Sequence, residues 1–160
     1  MSSHVGRPVT EGRSRDATMA EPTQQSLDRT SQHAHPRCVV CTRVQQAGLG
    51  LRFRLQDDGT VEARFACNAA YQGYSGVLHG GIAAALLDGA MTNCLFAHGV
   101  AAVTAEMTAR FRSPIRLGSP LTARAWLSRA HKPLYGVQAE LVQEGQVKAT
   151  AAGKFTERPG

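Results

Sequence analysis

Apolar runs in this chain, such as Ile82 to Leu87, stop far short of the roughly 18 residues a membrane-crossing helix needs, so no membrane span is expected. The first 36 residues show no hydrophobic period and read as a disordered leader. They lack the apolar stretch of a secretory signal, and Glu11, Asp16, Glu21 and Asp28 argue against a transit peptide, which is poor in acids. Aromatic residues make up 6% of the sequence and do not interleave with the basic ones. With no nucleic-acid motif and no basic amphipathic helix, nucleic acid is not an expected partner. Cysteine is scarce as well: four residues, two of them mid-element at Cys67 and Cys94, suit a reduced, cytoplasmic protein better than a disulfide framework.

What is present is a surplus of positive charge, +6 over 160 residues. Arg7, Arg13, Arg15 and Arg29 are balanced by the four acids of the leader, so the whole excess falls on residues 37–160, read as one domain. A basic domain without nucleic-acid features suits a small molecule bearing phosphates. Cys38 and Cys41 form a C-x-x-C after His33 and His35, four soft ligand types of the kind zinc gathers in a tetrahedron. His-x-His is a cramped spacing and no second C-x-x-C follows, so a small apolar packing turn is the preferred reading. No metal is assigned.

Periodicity outlines the rest. Leu49, Leu51, Phe53 and Leu55 alternate with polar residues or glycine, which predicts a strand over 49–55. Asp57-Asp58-Gly59 marks a turn into a second strand over 61–67. A helix is predicted over 81–97, stopped near His98-Gly99, followed by strands over 103–111, 120–130, 134–143 and 146–156. One buried helix against five or six mostly antiparallel strands is an α+β layer architecture.

The chemistry concentrates at the start of that helix. His79-Gly80-Gly81 runs into an apolar stretch interrupted by Asp88, placing backbone donors and one acid on a single element. Unpaired N–H groups and the helix dipole at such a start favour negative charge developing on a carbonyl oxygen. Thr92, one turn beyond Asp88, offers a hydroxyl to the carboxylate.

Gly76-Val77-Leu78-His79-Gly80-Gly81 followed by Leu86-Leu87-Asp88-Gly89-Ala90-Met91-Thr92 resembles the hotdog-fold thioesterases of the phenylacetate-pathway (PaaI-like) family. The likeness spans roughly residues 38–157, with Thr104 to Pro114 similar to the family's next strand and proline turn. It implies a hotdog fold, a five- to six-stranded antiparallel sheet wrapped around one central helix. It also implies acyl-coenzyme A thioester hydrolysis without a cofactor. Asp88 would then be nucleophile or general base, Gly80 the amide that polarises the carbonyl, Thr104 a hydroxyl positioning water or carboxylate, and His79 a residue fixing the glycine turn or donating to the thioester oxygen. Gly81 is the alternative amide. Relatives often carry an asparagine six residues before the histidine; here that position is Gly73, and the neighbouring Gln72 is the candidate replacement. For the phosphates of coenzyme A, Arg129, Lys132 and Arg112 are favoured among the basic residues. Tyr71, Tyr74, Leu78 and Phe96 are candidates for the acyl pocket. A non-catalytic acyl-CoA binder or sensor is the alternative function, and a hydratase or dehydratase on the same fold a third.

Gly80 and Asp88 lie eight residues apart, or about 12 Å along a helix rising 1.5 Å per residue. One carbonyl cannot touch both, so if both act they come from two chains across a twofold axis. A homodimer is expected, and a dimer of dimers fits the same reading. Ala83, Ala84, Ala85, Gly89 and Ala90 are small enough for two such helices to approach.

Overall fold

The computed structural model describes residues 19–42 and 48–158. Its centre is α2, Gly80–Ala97, enclosed by an antiparallel sheet of β1 (Arg54–Leu55), β2 (Val61–Ala66), β3 (Ala102–Phe111), β4 (Pro120–His131), β5 (Leu134–Gln143) and β6 (Gln146–Glu157). The strands lie in the order β1-β2-β4-β5-β6-β3. This is the six-stranded sheet around one helix that the alternation and the resemblance both predicted.

Alternation in β4, β5 and β6 has a direct cause: Leu121, Ala123, Ala125, Val137, Ala139, Leu141, Ala149 and Phe155 point at α2 and are buried. From the helix, Leu86, Leu87, Met91, Leu95 and Phe96 meet them with essentially no exposed surface. Each such large side chain contributes about 1.5–3 kcal/mol of burial. Helix and sheet approach tightly at Gly153, where an added Cβ would fall 2.9 Å from Met91 Sδ and 2.7 Å from Phe155 Cε2. The β5–β6 hairpin closes through Glu144 and Gly145, both at positive φ (52° and 74°), the backbone of a two-residue primed turn. Single apolar runs underrated α2. At 18 residues it has the length and composition of a membrane span, yet 67% of it is buried inside the protein.

Two expectations need correction. Residues 24–34, assigned by sequence to the disordered leader, form helix α1 (Gln24–Ala34) instead. Only Leu27 of α1 is buried, so no apolar period announces it. It is held by Thr23, whose side chain caps the Ser26 N–H at 3.0 Å, and by docking onto the domain: Thr23 N–H bonds Ala97 O at 2.9 Å, and Gln24 Oε1 accepts the Leu55 N–H at 2.8 Å. The leader's first 18 residues lie outside the described residues. The strand predicted over 49–55 shrinks to Arg54–Leu55. Leu49, Leu51 and Phe53 are buried as their alternation requires, but the N–H groups of Leu49 and Leu51 bond Val39 O and Val40 O rather than a neighbouring strand.

β3 ends the sheet. Beyond it no described strand pairs, and Val103 and Phe111 stand 47% and 54% exposed along it.

Candidate active site

The entry to α2 is pinned on both sides. Leu78 N–H bonds Ile115 O and His79 N–H bonds Tyr71 O, both at 2.9 Å, which sets the direction in which the helix starts. His79 is the N-cap, and its Nδ1 accepts the Gly81 N–H at 2.8 Å. Gly81 is thereby removed as an amide donor to substrate. Gly80, the first residue of the helix, is exposed, nothing apart from its chain neighbours and its own helix backbone lies within 4 Å of where its Cβ would be, and its N–H has no acceptor among the described residues. The structure therefore separates the two glycines that the sequence left as alternatives.

Asp88 is half-buried about two turns further on. Thr104 Oγ1 donates to its Oδ1 at 2.6 Å. The register of β3 against β6 shifts between Thr104 and Glu106, a bulge of the kind that re-aims a side chain. Thr92, the hydroxyl closer in sequence, is buried in the core and does not bond Asp88.

Other expected contacts divide. Gln72 Oε1 accepts the Gly76 N–H at 2.9 Å and so holds the loop before α2. Gly73 packs against His79: a Cβ there would fall 3.0 Å from His79 Cα, so a larger residue would push the helix entry. Arg112 follows β3 near the start of α2, where Val77 and Arg116 form a bridge. Lys132 lies at the opposite end, in a 540 Å³ cleft beside His98, Gly99 and Tyr135, paired with Glu157 at 3.7 Å. Arg129 is on the same end of the β4–β5 hairpin. Within one chain these three cations do not converge, because the 18 residues of α2, about 27 Å, separate the two ends. Of the acyl-pocket candidates, Phe96 and Leu78 are core, Tyr71 packs on Phe65 at 5.1 Å, and Tyr74 is 89% exposed.

The small residues expected between two helices are largely taken up within the chain. Ala83 and Ala90 are buried, and Gly89 is filled by Val40, whose Cγ1 lies 2.5 Å from a Cβ position there. Val40 belongs to the C-x-x-C turn. His35, Cys38 and Cys41 converge with their ligand atoms within 4.8 Å of one another, while His33, on the exposed side of α1, is not among them. Asn93, which sequence reading passed over, donates to Cys41 Sγ at 3.3 Å and to Gly89 O at 2.8 Å. A polar residue within the largely apolar second half of the helix was its signal. The Cys38 thiol is held well below its ordinary range by Cys41 beside it, then by His35 and the N–H groups of Cys41 and Val40, against the effect of burial. Burial alone pushes Cys67 up to about 11 and Cys94 up to about 12, as expected of inert core thiols.

Known proteins resemble this chain in sequence and in fold. The thioesterase superfamily model matches residues 75–150, which carry the α2 entry, Asp88 and Thr104. Acyl-coenzyme A thioesterase THEM4 of Bos taurus is 28% identical over 147 residues, covering 83% of this chain and 61% of that protein. The chain thus spans about three fifths of the length of that curated relative. Among solved structures, the E. coli PaaI protein from the phenylacetic acid degradation operon superposes with TM-score 0.73 at 23% identity over 85% of this chain and 96% of that one. A putative thioesterase, phenylacetic acid degradation-related, from Ralstonia eutropha JMP134 gives TM-score 0.65 and 26% identity over 79% and 98%. A Streptococcus mutans protein bound to acetyl CoA gives TM-score 0.63 at 18% identity over 68% and 88%. The fold is the hotdog fold, with thioesterase-superfamily sequence across its central helix. The family-model match covers just under half of the chain, and the solved neighbours share its fold.

Proposed function

We infer that this chain hydrolyses an acyl-coenzyme A thioester to the free acid and coenzyme A. The observation that carries the reading is the pairing on α2 of one unsatisfied amide, Gly80, with one hydroxyl-held carboxylate, Asp88. The relative named for acyl-CoA hydrolysis and the acetyl-CoA-bound structural neighbour support the substrate class.

In this mechanism the Gly80 N–H, at the positive end of the helix, receives the carbonyl oxygen as it becomes an oxyanion. Asp88 either attacks the carbonyl carbon or takes a proton from the water that does, and Thr104 fixes the orientation of the carboxylate. The C–S bond breaks, coenzyme A leaves as thiolate and is protonated, and water supplies the hydroxyl of the acid. His79 holds the glycine turn and takes no proton in the reaction.

The 12 Å between Gly80 and Asp88 calls for a second copy, with the amide of one chain facing the acid of the other. The unpaired edge of β3, with Val103 and Phe111 exposed beside Thr104, is the surface we assign to that contact. Gly73, standing where relatives often have asparagine, favours one other reading, a binder without turnover. Release of coenzyme A thiol across a panel of acyl-CoA esters distinguishes the two. We expect turnover of at least one ester and its loss by about two to four orders of magnitude in folded Asp88→Asn. Near-normal hydrolysis by that variant removes Asp88 from the mechanism, and tight binding of every ester without turnover establishes the binder.

A further inference from the structure

We propose that His35, Cys38 and Cys41 form a site for a thiophilic divalent cation of the zinc class, which ties the end of α1 to the turn that follows it, beside α2.

The three side chains arrive from different anchors. His35 is the C-cap of α1, its ring set edge-on against Phe96 at 5.0 Å and 89°. Its Nδ1 is buried and has no hydrogen-bond partner, a state rare among buried polar atoms. A metal ion bound by that nitrogen would give it the partner it lacks. Cys38 is held by the turn itself, with Thr42 N–H and Thr42 Oγ1 bonding Cys38 O at 3.0 and 2.8 Å. Cys41 Sγ is oriented by Asn93 from α2. This is the second layer of hydrogen bonding that fixes ligands in metal sites.

The dimensions suit a zinc-class ion. Ligands about 2.0–2.3 Å from a tetrahedral centre stand about 3.3–3.8 Å apart. The ligand atoms here lie within 4.8 Å, so closing on an ion needs side-chain movement of about 1 Å. Two thiolates and a neutral imidazole balance a divalent charge, which a half-buried site requires. His35, Cys41 and Asn93 also border a 470 Å³ cleft, which gives the ion an entry path and leaves a fourth coordination position open to water. Val40, between the two cysteines, fills the notch at Gly89, so the ion would lock the turn that closes α2 on this side.

The test uses the full chain, stripped of metal, kept reduced without a competing thiol, and titrated with Co²⁺ and then Zn²⁺. We expect about one Co²⁺ per chain, with thiolate-to-metal absorption and the visible bands of a tetrahedral ion, displaced by Zn²⁺. Cys38→Ser and Cys41→Ser should abolish the spectrum, His35→Ala should weaken binding by about ten-fold or more, and His33→Ala should leave it unchanged. Should the serine variants fail to fold, alkylation of the unaltered chain mapped by mass spectrometry gives the same decision. Zn²⁺ should protect Cys38 and Cys41, and equal rates with and without the ion overturn the site. The proposal is likewise overturned if Co²⁺ binding survives in Cys38→Ser. A reduced chain that ignores Co²⁺ but closes a Cys38–Cys41 disulfide also overturns it, making the pair a redox couple.

Discussion

Replacing Thr104 with valine removes one hydroxyl while keeping the shape of a β-branched residue at the bulge in β3. The bond it deletes, 2.6 Å from Thr104 Oγ1 to Asp88 Oδ1, is in the range of a hydroxyl donating to a carboxylate. Hydrogen bonds to charged groups are worth about 1.5–3 kcal/mol. If that bond aims the carboxylate in the transition state, its loss lowers turnover about 10- to 150-fold at 1.36 kcal/mol per decade. Steady-state release of coenzyme A thiol from the best acyl-CoA ester measures this, with kcat and KM resolved. The fall is expected in kcat, because Thr104 holds the acid rather than the substrate. Thr104→Ser keeps the donor and should recover most of the rate. In an Asp88→Asn background the valine should cost little more, since the group it positions has already been disabled. Valine keeps the β-branched shape at this position, so the melting temperature, compared at one protein concentration, should fall by no more than the lost bond accounts for. Thr104→Val within about twofold of the parent, beside an inactive Asp88→Asn, would refute the positioning role.

The shared site gives a second test: co-refolding Asp88→Asn chains with Gly80→Pro chains should regenerate one intact site per heterodimer, which is about half a site per chain pair in a random mixture, or about a quarter of the parental activity. Heterodimers as inactive as both parents, each checked for folding, would count against a site built from Gly80 and Asp88 of two chains. A third concerns alkaline stability. Burial and then Glu157, whose Oε1 accepts the Tyr135 hydroxyl at 2.5 Å, push Tyr135 up to about 12. Because the folded state holds this proton more tightly than the unfolded chain, the contribution is full below about pH 10 and is lost as pH rises through about 12. Melting temperatures over that window should fall less steeply in Tyr135→Phe, and parallel profiles would exclude the linkage.

Alternation made most of the sheet legible, because β4, β5 and β6 bury one face against α2 and leave the other polar, so period two survives in the residues themselves. α1 was illegible for the opposite reason. Its stability comes from a cap and a few long-range bonds around Leu27, and neither leaves a period. The run 49–53 misled because burial alternates there without a strand partner: its carbonyl partners belong to the C-x-x-C turn, a tertiary choice invisible to local pattern. At the site, helical spacing nominated Thr92 for Asp88, yet its side chain lies in the core, and the hydroxyl came across from β3. Thr104 was reachable through family resemblance and not through spacing. The difference between Gly80 and Gly81 needed coordinates, since it depends on which N–H the His79 ring accepts.

That ring has a consequence for selectivity. By accepting the Gly81 N–H, His79 leaves Gly80 as the free backbone donor at the helix entry, which on the proposed reading is the single backbone prong toward substrate. A carbonyl gripped by two donors is fixed like a clamped bar, whereas one held by a single N–H swivels about that bond. The attack angle must then be set by whatever grips the two arms of the thioester, the acyl chain on one side and pantetheine on the other. Chain-length discrimination would register in turnover more than in affinity, as a poorly fitting acyl group stays bound but rotates out of line.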